Sequence, residues 1–239
     1  MSTIRLFLDH PMSEGQAVAL SPDQAHYLFG VMRLGRGASL RVFNGRDGEW
    51  AAEVAEAGKR GGSLSLRERT RAQEGPPDLW LLFAPIKKAR TDFIVEKAAE
   101  MGCRRILPVG TDHTNSERVR ADRLRAHAIE AAEQCGGVFV PDVAEMAPLR
   151  DVLATWDGAR TLWFCDETLA ASVAPVPARV EGPGAVLIGP EGGFSPAERE
   201  RLRALPFARS IRLGPRILRA DTAAVAALAL WQATNGDWR

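Results

Sequence analysis

The sequence has little of what would build a metal centre or a disulfide-stapled scaffold. Its three cysteines, Cys103, Cys135 and Cys165, are an odd number without C-x-x-C spacing, which argues against a disulfide framework and a structural zinc site. No group of His, Cys or acidic residues has metal-ligand spacing, so metal-independent chemistry is expected. No G-x-G-x-x-G follows the first strand of the α/β region, which argues against a dinucleotide fold. The N-terminus shows no basic-then-apolar signal segment and no apolar run reaches membrane-spanning length; a reducing, cytoplasmic compartment is the expectation. An excess of one charge sign is lacking too: the net charge is +1, so affinity for nucleic acid must come from a local patch. Residues 199–219 supply one, with seven arginines (199, 201, 203, 209, 212, 216 and 219) against the single acid Glu200, although a solvated helix face would also account for the first three.

What is present is 239 residues, 46% hydrophobic and 26% charged, enough for one large domain or two modest ones. The pattern changes at Arg71 to Asp78, where Gly75-Pro76-Pro77 marks a linker and predicts domains at 1–72 and 78–239. Before it, Ile4 to Leu8 alternates as a strand, and Ser21-Pro22-Asp23-Gln24 is a capping box opening a helix with Ala25, Leu28, Phe29 and Met32 on one face. Ser39 to Phe43, Glu49 to Ala55 and Ser63 to Arg67 follow as a meander, turning at Asn44-Gly45 and again at Gly58 to Gly62, and a small barrel would close its edges. His26, taken alone, reads as a core or capping histidine.

After the linker, strands alternate with helices, the signature of a mostly parallel sheet. Strands are expected at Leu79 to Ala84, Arg105 to Val109, Thr161 to Cys165, Ala185 to Ile188 and Arg209 to Leu213. Helices are expected at Thr91 to Met101, at Ser116 to Gln134, after the Ser195-Pro196-x-Glu198 box, and at Thr222 to Trp231. Asp221 or Thr222 reads as the cap of the last helix, which is apolar nearly all round and is expected to be buried on all sides.

Two strand–turn–helix junctions stand out. In the first, Ile188 leads into Gly189-Pro190-Glu191-Gly192-Gly193; in the second, Leu213 leads into Gly214-Pro215-Arg216-Ile217-Leu218-Arg219. Glycines alone permit only a tight turn, but Ile217 and Leu218 are too apolar for an exposed one and belong in the core or against a flat ligand. Such turns present unpaired backbone N–H groups at the carboxyl end of a sheet. Asp166-Glu167, at the end of another strand, would form a third wall; Cys165 beside it has no neighbouring base and reads as packing rather than as a nucleophile.

The GPEGG loop followed by LGPRILRADTA resembles the SPOUT, or α/β-knot, methyltransferases, and within them the E-type 16S ribosomal RNA uridine N3-methyltransferases. The likeness covers most of the chain: Lys87, Asp92, Lys97 and Glu100-Met101-Gly102 match the family's K-x(4)-D-x(4)-K…E-(L/M)-G region, AAEQCGG its EAxEQ segment, and His26, Arg33 and Asn44-Gly45 its PUA-like RNA-binding domain. The resemblance implies a PUA-like β-barrel followed by an α/β trefoil-knot domain, S-adenosylmethionine (SAM) as methyl donor, a homodimer, and 16S ribosomal RNA or the assembled small subunit as substrate. Carried onto this chain, it implies cofactor binding by Cys165, Ile188, Gly189, Glu191, Gly192, Gly193, Leu213, Gly214, Ile217, Leu218 and Thr222, and RNA contacts by Arg33, Lys87 and Arg216. Arg219 is the expected cation at the reacting base, with Asp221 and Glu191 as alternative proton acceptors; Asp221 reads equally as a helix cap. One position departs from the family: Gly137 stands where many relatives carry arginine, leaving that arginine's role open. A ribose 2′-O methylase of the superfamily would show N-x-G-x-x-x-R early in the domain, where this chain has KKARTDFIVEK; a non-enzymatic RNA-binding protein would not need both loops intact.

Overall fold

The structure, a computed structural model, describes residues 3–58, 61–115, 119–170 and 179–238. The chain forms two compact units, Met1–Gly75 with Ala132–Val140, and Pro76–Ala131 with Pro141–Arg239.

In the first unit, β1 (Arg5–Phe7), β2 (Ala17–Ala19), β3 (Ser39–Phe43), β4 (Glu49–Gly58) and β5 (Gly61–Arg71) form one sheet in the order β1-β3-β4-β5-β2. Only the β1–β3 pair is parallel. Leu6 and Val18, from the two edge strands, join Leu40, Val54 and Leu64 in one apolar cluster, so the sheet curls around its core. Register shifts along β4 and β5 supply the bend that a flat pairing would not give. The Ser21 box forms as expected, Gln24 N–H donating to Ser21 Oγ and Ser21 N–H to Gln24 Oε1. The helix it opens, α1 (Pro22–Ala25), lasts a single turn and continues as a π-helical turn, His26–Val31. The wider turn rotates the face that the spacing predicted: Ala25 and Leu28 are buried, but Met32 is exposed and so is His26, which is therefore not a core histidine.

The Asn44-Gly45 turn is held by one side chain. Asn44 Oδ1 accepts from the N–H groups of Arg46 and Asp47, while Nδ2 donates to His10 O and Asp47 Oδ2. The Asn44 bond is the main reason the Asp47 carboxyl is held below its ordinary range. The AAEQCGG segment serves this unit as an anchor: Arg5 donates to the carbonyls of Ala132, Glu133 and Gly137 and pairs with Glu49 at 2.9 Å, and Phe7 N–H donates to Glu133 Oε1. Arg5 thereby satisfies carbonyls left open at a helix end.

In the second unit, β6 (Leu79–Phe83), β7 (Arg105–Gly110), β8 (Asp142–Val143), β10 (Thr161–Cys165), β11 (Gly184–Ile188) and β12 (Ala208–Ile211) lie in the order β12-β10-β11-β6-β7-β8, all parallel, with β9 (Ala147–Pro148) also on β7. Both faces are covered, as a parallel sheet requires. Leu81, Trp163 and Val186 face the cluster of α2 (Lys88–Glu100), α3 (Ala121–Cys135) and α6 (Ala220–Asn235). Leu82, Leu162 and Leu187 face that of α4 (Leu149–Ala154) and α5 (Pro196–Ala204).

Several boundaries differ from the sequence expectations for identifiable reasons. Helix α2 starts at Lys88 rather than Thr91, because Thr91 Oγ1 reaches back to both N and O of Ile86 and carries the helix forward to Lys87. Helix α6 is capped by the backbone of Arg219, not by Asp221 or Thr222, since buried Ala220 already packs as its first residue. The described part of α3 starts at Ala121, and Ser116 lies outside the described residues. Within the single chain α6 is not buried on all sides: Thr222 and Ala233 are exposed, and Val225, Ala226, Ala229 and Leu230 are half-buried. Among the described residues no helix is long and apolar enough to cross a membrane.

Candidate functional site

Three loops at the carboxyl ends of neighbouring strands enclose a cleft. After β10 comes Asp166 with a 3₁₀ turn, Glu167–Leu169; after β11, the GPEGG loop; after β12, residues 212–219. Two adjoining hollows share Cys165, Glu167, Ile217, Leu218 and Ala223 as lining, so they form one continuous site.

Each wall has a physical cause. The GPEGG loop closes on itself, Gly193 N–H donating to Pro190 O at 2.9 Å. Gly189 has no room for a side chain: a Cβ there would stand 2.8 Å from the Phe194 ring, which is buried and packed edge-on against Phe164 at 4.9 Å. Gly193, at φ +65°, would put a Cβ 2.3 Å from Glu167 Oε1. The opposite turn is braced by arginines of α5. Arg199 pairs with Glu167 at 2.9 Å, and Arg203 pairs with fully buried Asp166, which also accepts from Thr168 Oγ1 at 2.7 Å. Two of the patch arginines are thus committed to shaping the cleft, not to a solvated face. Contrary to the expectation that both apolar residues of this turn would be covered, Ile217 is 74% exposed at the rim, whereas Leu218 is half-buried.

The electrostatics separate free from engaged groups. Glu191 and Arg219 line the hollow beside the GPEGG loop, are exposed, and have no hydrogen bond or ion pair to their side chains among the described residues. Asp221 is not in the lining; it sits in the first turn of α6 and faces Arg90 at 3.6 Å. Burial pushes the Cys165 thiol well up, so it stays protonated and is no nucleophile. Among the described residues no three or more His, Cys, Asp or Glu side chains are grouped to hold a metal ion.

Comparison with known proteins accounts for this geometry. Residues 73–232 match an RNA methyltransferase domain, and residues 20–66 an RNA methyltransferase PUA domain. The ribosomal RNA small subunit methyltransferase E of Rickettsia conorii is 30% identical over 94% of this chain and 93% of its own. The chain belongs to the ribosomal RNA small subunit methyltransferase E family. Among solved structures, the family member from Neisseria gonorrhoeae, bound to S-adenosyl methionine, aligns over all of both chains with a TM-score of 0.86 at 26% identity. A methyltransferase of Legionella pneumophila in complex with the cofactor SAM aligns over 99% of this chain and 100% of its own, with a TM-score of 0.88 at 26% identity. The fold is accordingly the α/β-knot, or SPOUT, class, preceded by a PUA-like unit.

Of the residues that the family resemblance nominated for the cofactor, Cys165, Ile188, Gly189, Glu191, Gly193, Leu213, Gly214, Ile217 and Leu218 line the cleft. Two do not: Gly192 turns outward against His113, and Thr222 is exposed with its hydroxyl 3.4 Å from Asp221 Oδ1. Arg216 lines the smaller hollow, whereas Lys87 stands exposed at the start of α2 and Arg33 stands exposed in the first unit. Arg33 is the one described non-glycine residue with positive φ, +57°, a conformation imposed where the π-helical turn ends. Sequence reading missed the contributions of Ile211, Ala220 and Ala223 to the lining. Small or apolar residues at strand and helix ends give no chemical signal of their own.

Proposed function

We propose that the protein methylates N3 of one uridine in the decoding region of 16S ribosomal RNA, using SAM as donor and acting in the cytoplasm as a homodimer. The observation that carries the reading is the single cleft built from both motif loops, with two cations, Arg216 and Arg219, and one carboxylate, Glu191, unpaired on its wall among the described residues.

The residues present fit the cofactor. Gly189 and Gly193 keep the loop free of side chains where a Cβ would collide, which brings backbone N–H and C=O groups close to a ligand. Ile188, Leu213, Ile217 and Leu218 offer apolar walls to an adenine, and Glu167 and Glu191 are carboxylates suited to a cationic ligand. When bound, SAM supplies an activated methyl group on a sulfonium leaving group.

The protein's task is then at the acceptor. Uridine N3 carries a proton at neutral pH, so the site must take that proton and steady the charge left on the ring. Glu191 takes the proton at its carboxylate, since it is the acidic cleft residue without a partner, and Arg219 donates to the developing oxyanion. Asp221 is engaged by Arg90 at 3.6 Å outside the cleft lining and takes no part in the proton transfer. The half-buried face of α6 formed by Val225, Ala226, Ala229 and Leu230 supports the dimer, because small residues permit close helix approach. Light scattering at micromolar concentration should give twice the chain mass.

The experiment that tests the function is methylation mapping of 16S ribosomal RNA from cells with and without the protein. One uridine should lose its N3 mark in the absence of the protein and regain it when purified protein and SAM are added to small subunits. An unchanged map would overturn the reading.

A further inference from the structure

The loop after β7, residues 111–115, makes a set of contacts that nothing in the reaction so far requires. His113 Nδ1 lies 3.0 Å from Gly192 O and 3.2 Å from Gly193 O. Both partners are carbonyls and can only accept, so Nδ1 carries the proton and donates to both. Beside it, Asp112 N–H donates to Glu198 Oε1 at 2.9 Å, and Ser195 Oγ donates to Asp112 Oδ2 at 2.5 Å. The same Ser195 Oγ accepts from Glu198 N–H, and Glu198 Oε2 accepts from Ser195 N–H, so the α5 capping box is itself part of the contact. The 111–115 loop is closed by Thr114 Oγ1, which accepts from Thr111 N–H at 2.9 Å. Gly192 packs directly on the histidine: a Cβ there would lie 3.3 Å from His113 Cβ.

We propose that His113 is a positioning residue for the cofactor loop. Its donated N–H fixes two consecutive carbonyls of the GPEGG loop from outside, while Asp112 fixes the start of the helix that follows. Gly193 is the residue both gripped by His113 and lining the cleft, so the clamp sets the wall that meets the cofactor. Two glycines in a row have many accessible backbone states, and without an outside donor the loop would have to pay that ordering entropy each time SAM binds. His113 does not line the cleft and is not expected to touch SAM.

The inference rests on the proposed SAM site, and the test separates the two. SAM binding is measured by calorimetry on the full-length protein, together with SAM KM and kcat on small subunits, for wild type, His113→Phe and His113→Asn. Phe keeps the ring volume without a donor, whereas the Asn amide can donate from about the place of Nδ1. His113→Phe should weaken SAM binding roughly tenfold, a value of about 1.4 kcal/mol for the lost donor. Its kcat at saturating SAM should stay within about twofold, since the loss falls on binding rather than on the transition state alone. His113→Asn should recover most of the affinity. A merely structural role would give equal losses in both variants. Equal SAM affinity for His113→Phe and wild type overturns the inference while leaving the SAM site intact; absence of SAM binding to wild type overturns the functional reading beneath it.

Discussion

At the scale of single residues, Gly189 and Gly193 share a motif but differ in what crowds them. The atoms facing Gly189 belong to the Phe194 ring, wedged against Phe164 with no direction in which to yield. The atoms facing Gly193 belong to the end of the Glu167 side chain, which can swing away if it abandons Arg199. Gly189→Ala should therefore cost about 2 kcal/mol of folding stability as an overpacked site. Gly193→Ala should cost about 1 kcal/mol, because alanine is strained at a φ of +65° even after Glu167 swings away, and should weaken SAM binding severalfold by moving a cleft wall. Urea titration and calorimetry on the two variants check the contrast; a loss at Gly193→Ala larger than that at Gly189→Ala would show that Glu167 yields no more than Phe194 and adds to the backbone strain. This difference could not be read from the sequence, where both residues are glycines of one loop. Their importance was legible, but what crowds them comes from residues distant in the chain.

At the scale of elements, most strands and helices were legible because their apolar periods are long and uninterrupted, as in Leu79–Phe83 and Gly184–Ile188. The errors fall where a local rule was overridden. The Ser21 box predicts a helix and gets one turn of it before π-helical spacing takes over; the polar residues at 221 and 222 suggest a cap, but packing of Ala220 starts α6 earlier. Short β2, β8 and β9 carry too few residues for a period to show. The starts of three parallel strands are pinned by a residue with no motif at all. Arg160 is buried, stacks on Trp80 at 3.8 Å, pairs with Asp78 at 2.8 Å and donates to Gly184 O, which ties β6, β10 and β11 together opposite the cleft. Removing that guanidinium takes a donor from Gly184 O and the ion-pair partner from the Asp78 carboxylate, and leaves a void against Trp80. Arg160→Ala should destabilise the fold by about 3 kcal/mol, discounted toward about 2 because Asp78 is partly solvated. Arg160→Met, which refills the volume, should recover part of the loss. Denaturant unfolding measures both, and a loss under about 0.5 kcal/mol for the alanine variant would show the cluster to be incidental.

At the scale of the whole molecule, the proposed function asks for two separable actions, holding RNA and reacting with one base. N3 lies on uridine's pairing edge, so the base must leave its partner or its stack before a methyl can reach it, and flanking RNA has to be held meanwhile. The charges sort accordingly. Arg33 and Lys87 are exposed, lie outside the cleft lining and have no ion-pair partner among the described residues; Arg219 is equally unpartnered but lines the cleft itself. The net charge of +1 makes such individual cations matter, since no general field draws the RNA in. Removing a cation that grips a phosphate should shift affinity and its salt slope, while removing one that meets only the reacting base should appear in turnover. Arg33→Ala and Lys87→Ala should each weaken RNA binding several-fold and reduce the salt slope by about one, with saturated turnover nearly unchanged. Arg219→Ala should lower single-turnover methylation by roughly a hundredfold at saturating RNA and SAM, the scale of a lost oxyanion donor. Filter binding across a salt series, run beside single-turnover assays on small subunits, reads both quantities. If Arg219→Ala keeps full turnover and loses only affinity, it is a third phosphate clamp, and the charge at the uridine must be met by backbone N–H groups of the GPEGG loop instead. If Arg33→Ala changes neither quantity, the first unit holds the RNA through other residues, and the unusual backbone at Arg33 belongs to the π-helical turn alone.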